Sequence, residues 1–406
     1  MGSGRRLFAL GLMIVGVSLS ARLAWATDVP MPQRPAATAA ASDEAVSEAA
    51  LSESIAESIR ALGSGSFAAR EQAGHRLIEL GIAAREALLA AGSGPDAEVR
   101  VRARAILATV FEADFRSRLE AFAADYDGSR GKTLPGWEPF SANFGSTGPA
   151  RQLFVEMQRA EPELLEALVK GDKQASEALD ARCRMVVQQA IQNPPGTQIS
   201  LGTATSLLLV GSSAGVTIDE QVGSQLFPWI IYQPAFQKAV RETNRAAMLK
   251  KMLGQWIQKD LGPASSAENL KFAAQFDLKA EGLSLATRLL NDDDSPPTSK
   301  ASALLLVGKV GGHEHLPLVE KSLIDKANCG VGQLANMQRQ AELQVRDVAL
   351  AVAVRLTDQK LRDFGFLNAQ PHPTTLYQVA SLTFASPEVR EVAFRKWGRW
   401  RAEHPN

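Results

Sequence analysis

Cysteine is nearly missing from this chain, with two in 406 residues, so a disulfide framework is excluded as the source of stability. Tyrosine is scarcer than in most domains, at three, and aromatic residues total 6%. Too few flat rings remain for a stacking platform, and alanine and arginine recur in their place, a composition of packed helices rather than sheets. An excess of either charge is also lacking: 44 basic residues balance 44 acidic ones. No global field draws in a polyanion, which argues against a general nucleic-acid binder. No P-loop, dinucleotide fingerprint or zinc-type Cys/His set occurs, so cofactor enzymes lose their usual signatures. What is present is 45% hydrophobic and 22% charged residues, an ordinary globular balance with apolar material for a large core.

One apolar run stands out. Arg5 and Arg6 precede the stretch Leu7–Ser20, and Ala24-Trp25-Ala26 follows with small residues where a signal peptidase reads. Arg22 closes the run before the roughly 18 to 20 residues that a membrane-spanning helix needs. Residues 1–26 are therefore expected to be a cleavable signal peptide and the product to be exported, periplasmic or secreted, with no transmembrane segment after cleavage. Arg5-Arg6-Leu7-Phe8 also fits the start of a twin-arginine signal, and the route stays open. Cleavage would turn the formal balance from 0 to −3, because it removes Arg5, Arg6 and Arg22 and no acid. In an oxidising compartment Cys183 and Cys329 could pair, or stay as two separate buried thiols.

Residues 27–47, rich in proline and alanine, read as a flexible leader. Helical periodicity begins at once beyond it. Leu51, Ile55, Ile59 and Leu62 fall on one stripe, a second helix is predicted from Ser66 to Leu80 with a stop at Gly81, and Pro95 opens a fourth. A pattern then recurs: Arg70-Glu71-Gln72-Ala73, Val99-Arg100-Val101-Arg102-Ala103, Lys300-Ala301-Ser302-Ala303, Val345-Arg346-Asp347-Val348-Ala349 and Val389-Arg390-Glu391-Val392-Ala393. Each alanine admits a neighbouring helix closely, and apolar residues further along continue the same face. The basic residue near each helix start opposes the helix dipole, so something must compensate it.

This pattern resembles the second helix of HEAT-like repeats, where an aspartate ahead of Val-Arg contributes to a ladder between successive helices; Asp96 precedes Val99-Arg100, and Glu388 precedes Val389-Arg390. Leu134-Pro135-Gly136-Trp137, Leu356-Thr357 and Lys396-Trp397-Gly398-Arg399-Trp400 add a likeness to exported bacterial HEAT-repeat proteins. The resemblance implies an all-α solenoid of antiparallel helix pairs. It supplies no activity. The predicted organisation is N-terminal HEAT-like helices over 48–125, an irregular aromatic-containing loop over 126–148, a central helical region over 149–290 and C-terminal HEAT-like helices over 291–406.

Five segments invite a chemical reading. Gly211-Ser212-Ser213-Ala214-Gly215 matches G-x-S-x-G after the apolar Leu207–Val210, which makes Ser213 the nucleophile of an alternative serine hydrolase. Its flanks read as helical, which favours two glycines ending one helix and beginning the next. His313-Glu314-His315 and Asp292-Asp293-Asp294 lack the spacing of a zinc or calcium set and read as polar turns. Phe227-Pro228-Trp229-Ile230-Ile231-Tyr232 reads as core, or as an exposed docking patch. The basic C-terminal helix around Trp397 and Trp400 reads as the cap of a solenoid, with an anionic surface as the alternative. No catalytic, cofactor-binding or metal residue is assigned. The expected role is a non-catalytic scaffold or binding module for a protein partner.

Overall fold

The computed structural model describes residues 37–405 apart from 193–197, 243, 260 and 334–339; the expected signal peptide lies outside them. The fold is all-α, 73% helical with 4% strand. Two compact units divide between Phe111 and Glu112.

The first unit holds α1 (Ala37–Ala61), α2 (Phe67–Leu80), α3 (Arg85–Ala91) and the start of α4 (Ala97–Ala124). Helix α1 reaches back into the predicted leader as far as Ala37, because Ala37, Ala39, Ala40 and Ala41 carry the highest helix propensity of any residue. Ile55, Leu62, Ala73, Leu77, Leu88, Ala103, Ile106 and Val110 form one buried cluster among these helices.

The second unit continues through α5 (Trp137–Phe144), α6 (Gly148–Ala160), α7 (Pro162–Lys170), α8 (Asp172–Gln192), α9 (Leu201–Ser212), α10 (Phe227–Ile231), α11 (Pro234–Glu242) and α12 (Ala246–Gln258). It ends with α13 (Pro263–Gln275), α14 (Lys279–Asn291), α15 (Pro297–Val310), α16 (Leu316–Glu320), α17 (Val345–Leu356) and α18 (Pro387–Glu403). Helix α9 is buried on every face from Gly202 to Gly211 and contacts α6, α7, α8, α10, α11 and α12. A helix buried on every face by its neighbours is a core helix. Two short hairpins interrupt the C-terminal helices predicted over 291–406. Strands β1 (Asn328–Gln333) and β2 (Gln340–Gln344) pair antiparallel with a bulge near Gly330, and β3 (Pro371–His372) pairs with β4 (Leu376–Tyr377).

The five repeated alanines are all buried: Ala73, Ala103, Ala303, Ala349 and Ala393. The basic residues beside them are compensated locally. Arg70 donates back to the Ser64 carbonyl at 2.7 Å, Arg100 to those of Gly94 and Pro95 at 2.9 and 2.6 Å, and Lys300 to that of Asp293 at 3.1 Å. Each cation thus ties the loop before its helix instead of facing the helix dipole. Asp96 accepts the N–H groups of Glu98 and Val99 and so caps α4. Ion pairs cross between successive repeated helices: Arg102 meets Glu71 and Arg70 approaches Glu98, while Arg346 meets Glu391 and Arg390 meets Asp347. Arg102 is therefore engaged both across to α2 and with Glu98 on its own helix.

The segment 126–148 is not wholly irregular, since it contains α5. Trp137 and Phe140 are buried there against Phe122 and Phe154. Buried Arg151 holds the segment down, pairing with Asp125 at 3.3 Å and stacking 3.8 Å from the Phe122 ring centroid.

Candidate functional site

The residues singled out by sequence do not assemble into one site. Leu207–Val210 is helical rather than a strand, and Ser213 caps the end of α9 with its Oγ donating to the Leu209 carbonyl at 3.0 Å. Lys259 Nζ sits at the same helix end and donates to the carbonyls of Gly211, Ser213 and Val216 at 2.6, 2.8 and 2.6 Å. All three ammonium protons are spent as a helix cap, which leaves no lone pair to act as a base for Ser213. Both glycines of the motif are packing positions: a Cβ on Gly211 would lie 2.9 Å from Phe227 Cζ, and one on Gly215 would overlap the Asp172 carboxylate. The nucleophile elbow is not formed.

His315 Nδ1 accepts the Gly312 N–H at 3.2 Å, so the His313-Glu314-His315 turn is closed on itself. Asp292 binds the Asp294 N–H and the Ser295 hydroxyl, building the entry to α15. Cys183 and Cys329 are unpaired and buried, and burial pushes each thiol up to about 12. Phe227, Ile230 and Ile231 are core, with Phe227 stacked on Trp256 at 3.8 Å between centroids. On α18, Arg390 is buried on Asp347, Arg401 pairs with Glu320 and Lys396 donates to the Asp363 carbonyl. That helix is docked, and its basic residues are largely consumed in docking it.

The concave feature with the richest set of convergent polar groups was not visible in the sequence. A cleft of about 560 Å³ lies between α13, α15 and the β3–β4 hairpin, with Tyr232 at its rim. Leu270, Leu305 and Leu306 floor it, while Lys271, Gln275, Ser302, His372, Thr375 and Gln378 bring polar atoms to its walls. This mixture of an apolar floor and a few placed polar groups is what a recognition pocket requires.

Each wall is braced from behind. Tyr232 Oη donates to Glu268 at 2.6 Å, and the same carboxylate receives Lys271 Nζ at 2.8 Å. Burial first, and then that carboxylate, push the phenol above its ordinary range, so it stays protonated. His372 Nδ1 accepts the backbone N–H groups of Thr374 and Thr375 at 3.3 and 3.1 Å, which places the proton of the neutral ring on Nε2 as a donor. Lys309 clamps the turn by donating to the carbonyls of Pro373 and Thr374 at 2.5 and 2.7 Å. Leu376 adopts φ of +69°, a left-handed conformation costing roughly 1–2 kcal/mol in a side chain of this kind. It is held there by close packing on α15, where Gly308 leaves the space: a Cβ at 308 would meet Leu376 Cδ2 at 2.8 Å. The hairpin is a fixed wall, and its strain is retained at the edge of the cleft.

Among the described residues no helix is long and apolar enough to cross a membrane. In comparisons with known proteins, no family model matches the chain, and neither a curated protein nor a solved structure matches it significantly.

Proposed function

We propose that this chain is an exported, HEAT-like helical-repeat protein that acts as a non-catalytic binding module for a protein partner, with the cleft between α13, α15 and the β3–β4 hairpin as its recognition site. The observation that carries this reading is the bracing of that cleft: Lys309 and the Gly308–Leu376 contact immobilise the wall bearing His372. A preformed wall lowers the ordering cost of association, which is where rigid recognition sites gain affinity. Its polar groups are arranged as donors and acceptors, with the Nδ1 of His372 already occupied by backbone N–H groups. Such a set favours recognition over proton abstraction.

The repeat assignment is supported by the buried alanines and by the ion pairs that cross between α2 and α4 and between α17 and α18. Export rests on Arg5, Arg6, the Leu7–Ser20 run and Ala24-Trp25-Ala26. N-terminal sequencing of the exported form reads Thr27 first under this proposal, and a chain keeping residues 1–26 refutes it. The binding role is tested by capture from the exported fraction with the wild-type chain and with a Lys271→Ala, Gln378→Ala double variant, whose changes are both at exposed positions. A partner held by the first and lost by the second supports the assignment of the cleft. Equal capture by both removes it.

A further inference from the structure

The aromatic stretch Phe227–Tyr232 divides its side chains between two surroundings. Phe227, Ile230 and Ile231 are core, whereas Trp229 is half-buried and lines a pocket of about 580 Å³. Cys183, Val187 and Ala190 line that pocket from α8 at i, i+4 and i+7, a single stripe of the helix about 10 Å long. Val222, Leu226 and Trp229 line it from the other side at the same spacing. There the backbone makes one π-helical turn, Val222–Leu226, before it enters α10. Such turns are rare, and they recur at functional sites.

The rim has a different chemistry from the interior. Gln188, Gln192, Gln221 and Gln225 stand exposed around it, uncharged groups that can each donate and accept hydrogen bonds. Arg184 is the one charged side chain among the described lining residues, and Asp180, one turn back on α8, already pairs with it. An ionic ligand would therefore leave water without a free counter-charge to receive it, which is costly. Size separates a small molecule from a protein surface. A stable protein interface takes roughly 800 Å² from each partner, whereas the apolar surface here is confined to one recess between two rows of side chains. Its 580 Å³ falls within the range of small-molecule pockets.

We infer that this pocket binds a neutral, mainly hydrocarbon small molecule of about twenty non-hydrogen atoms, by comparison with the roughly 30 Å³ that one water occupies in the liquid. The molecule lies between the Val187 and Trp229 rows, with any polar group it carries at the glutamine rim. The pocket shares no lining residue with the cleft of α13 and α15, so the inference stands without that reading.

The test is fluorescence titration of the full chain with N-phenyl-1-naphthylamine, an uncharged dye of this size that brightens on leaving water. One saturable site per chain is expected, and excitation of tryptophan should pass to the bound dye, less so in Trp229→Phe. The same ring skeleton carrying a sulfonate, 8-anilinonaphthalene-1-sulfonate, should bind at least about tenfold more weakly, since no free cation awaits it. Val187→Asp places a short carboxylate against the ligand at a position 40% exposed, so it should melt close to the wild type yet bind the neutral dye about tenfold less tightly. Val331→Asp, at an exposed valine outside the pocket, should leave binding unchanged. Lack of saturation, equal affinity for the sulfonated dye, unchanged affinity in Val187→Asp, or equal losses in Val187→Asp and Val331→Asp overturns the proposal.

Discussion

Replacing Gly202 by alanine sets two well-known effects against each other. Within a helix the change normally stabilises by up to about 1 kcal/mol, since alanine is the best helix former and glycine a poor one. At this position the new Cβ would lie 2.2 Å from the Glu156 carbonyl oxygen and 2.7 Å from its carbon, where α9 crosses α6. The obstacle is backbone, so no side chain can swing away, and the two helices must part by about 1 Å to restore an ordinary contact. Overpacking of this kind costs roughly 1–3 kcal/mol. Packing should win, giving a net loss on the order of 1–2 kcal/mol. Gly398, on α18, supplies the control, because a Cβ there meets nothing within 4 Å. Gly398→Ala should gain roughly 0.5–1 kcal/mol from propensity alone. Urea denaturation of both variants, followed by far-ultraviolet circular dichroism, gives the comparison. A Gly202→Ala chain as stable as the Gly398→Ala chain would mean that α6 and α9 do not meet as described.

Further outcomes follow from the same packing. Ala103→Phe should cost on the order of 1–3 kcal/mol by overpacking a fully buried site, whereas Val101→Phe, at a position 68% exposed, should stay within about half a kcal/mol in the same assay. Arg390→Met strands the Asp347 carboxylate in the core and should cost roughly 3–5 kcal/mol at neutral pH. Burial holds the Asp347 carboxyl above its ordinary value, more so once Arg390 is gone, so the folded variant binds the proton more tightly than the unfolded chain. Its stability is therefore greatest in acid and falls as pH rises through the folded value, which pH-dependent denaturation against the wild type would detect as a deficit growing with pH. Cys183 and Cys329 should resist thiol reagents in the folded chain and both react after unfolding; rapid native labelling of either contradicts its burial.

Much of the helical layout is legible in the sequence because local signals carry it. Ser66 and Gly81 bracket α2 as cap and stop, Pro162 opens α7, and Asn291 and Pro297 mark the break between α14 and α15. The recurring basic residue with alanine three positions on correctly identified five buried contacts. The apolar stripe of Val240, Met248, Met252 and Trp256 is carried by two helices, α11 and α12, with a break near Arg245. The hairpins escape detection for a physical reason. Asn328–Gln333 is glycine-rich and Gln340–Gln344 is polar, so neither has intrinsic strand preference, and their pairing is set by tertiary contacts. The cleft is hidden more thoroughly still: Tyr232, Lys271, Ser302 and His372 come from separate elements with no shared spacing. A lone Pro371-His372-Pro373 carries no sign that Lys309 and Gly308 will pin it. The G-x-S-x-G match shows the converse, since each of its glycines is explained by what packs on it.

The central claim is that the braced cleft is where a partner sits, and in-cell photocrosslinking tests it most directly. A photoreactive residue placed at Gln378, exposed on the cleft wall, should give one discrete crosslinked species. The same residue at Lys173, whose side chain is 83% exposed on α8, should not. Crosslinking from position 378 that is also abolished by Gly308→Ala, the change that displaces Leu376 and the hairpin, is the result this account predicts. A chain that crosslinks from position 173 and not from 378, or from neither, would contradict it.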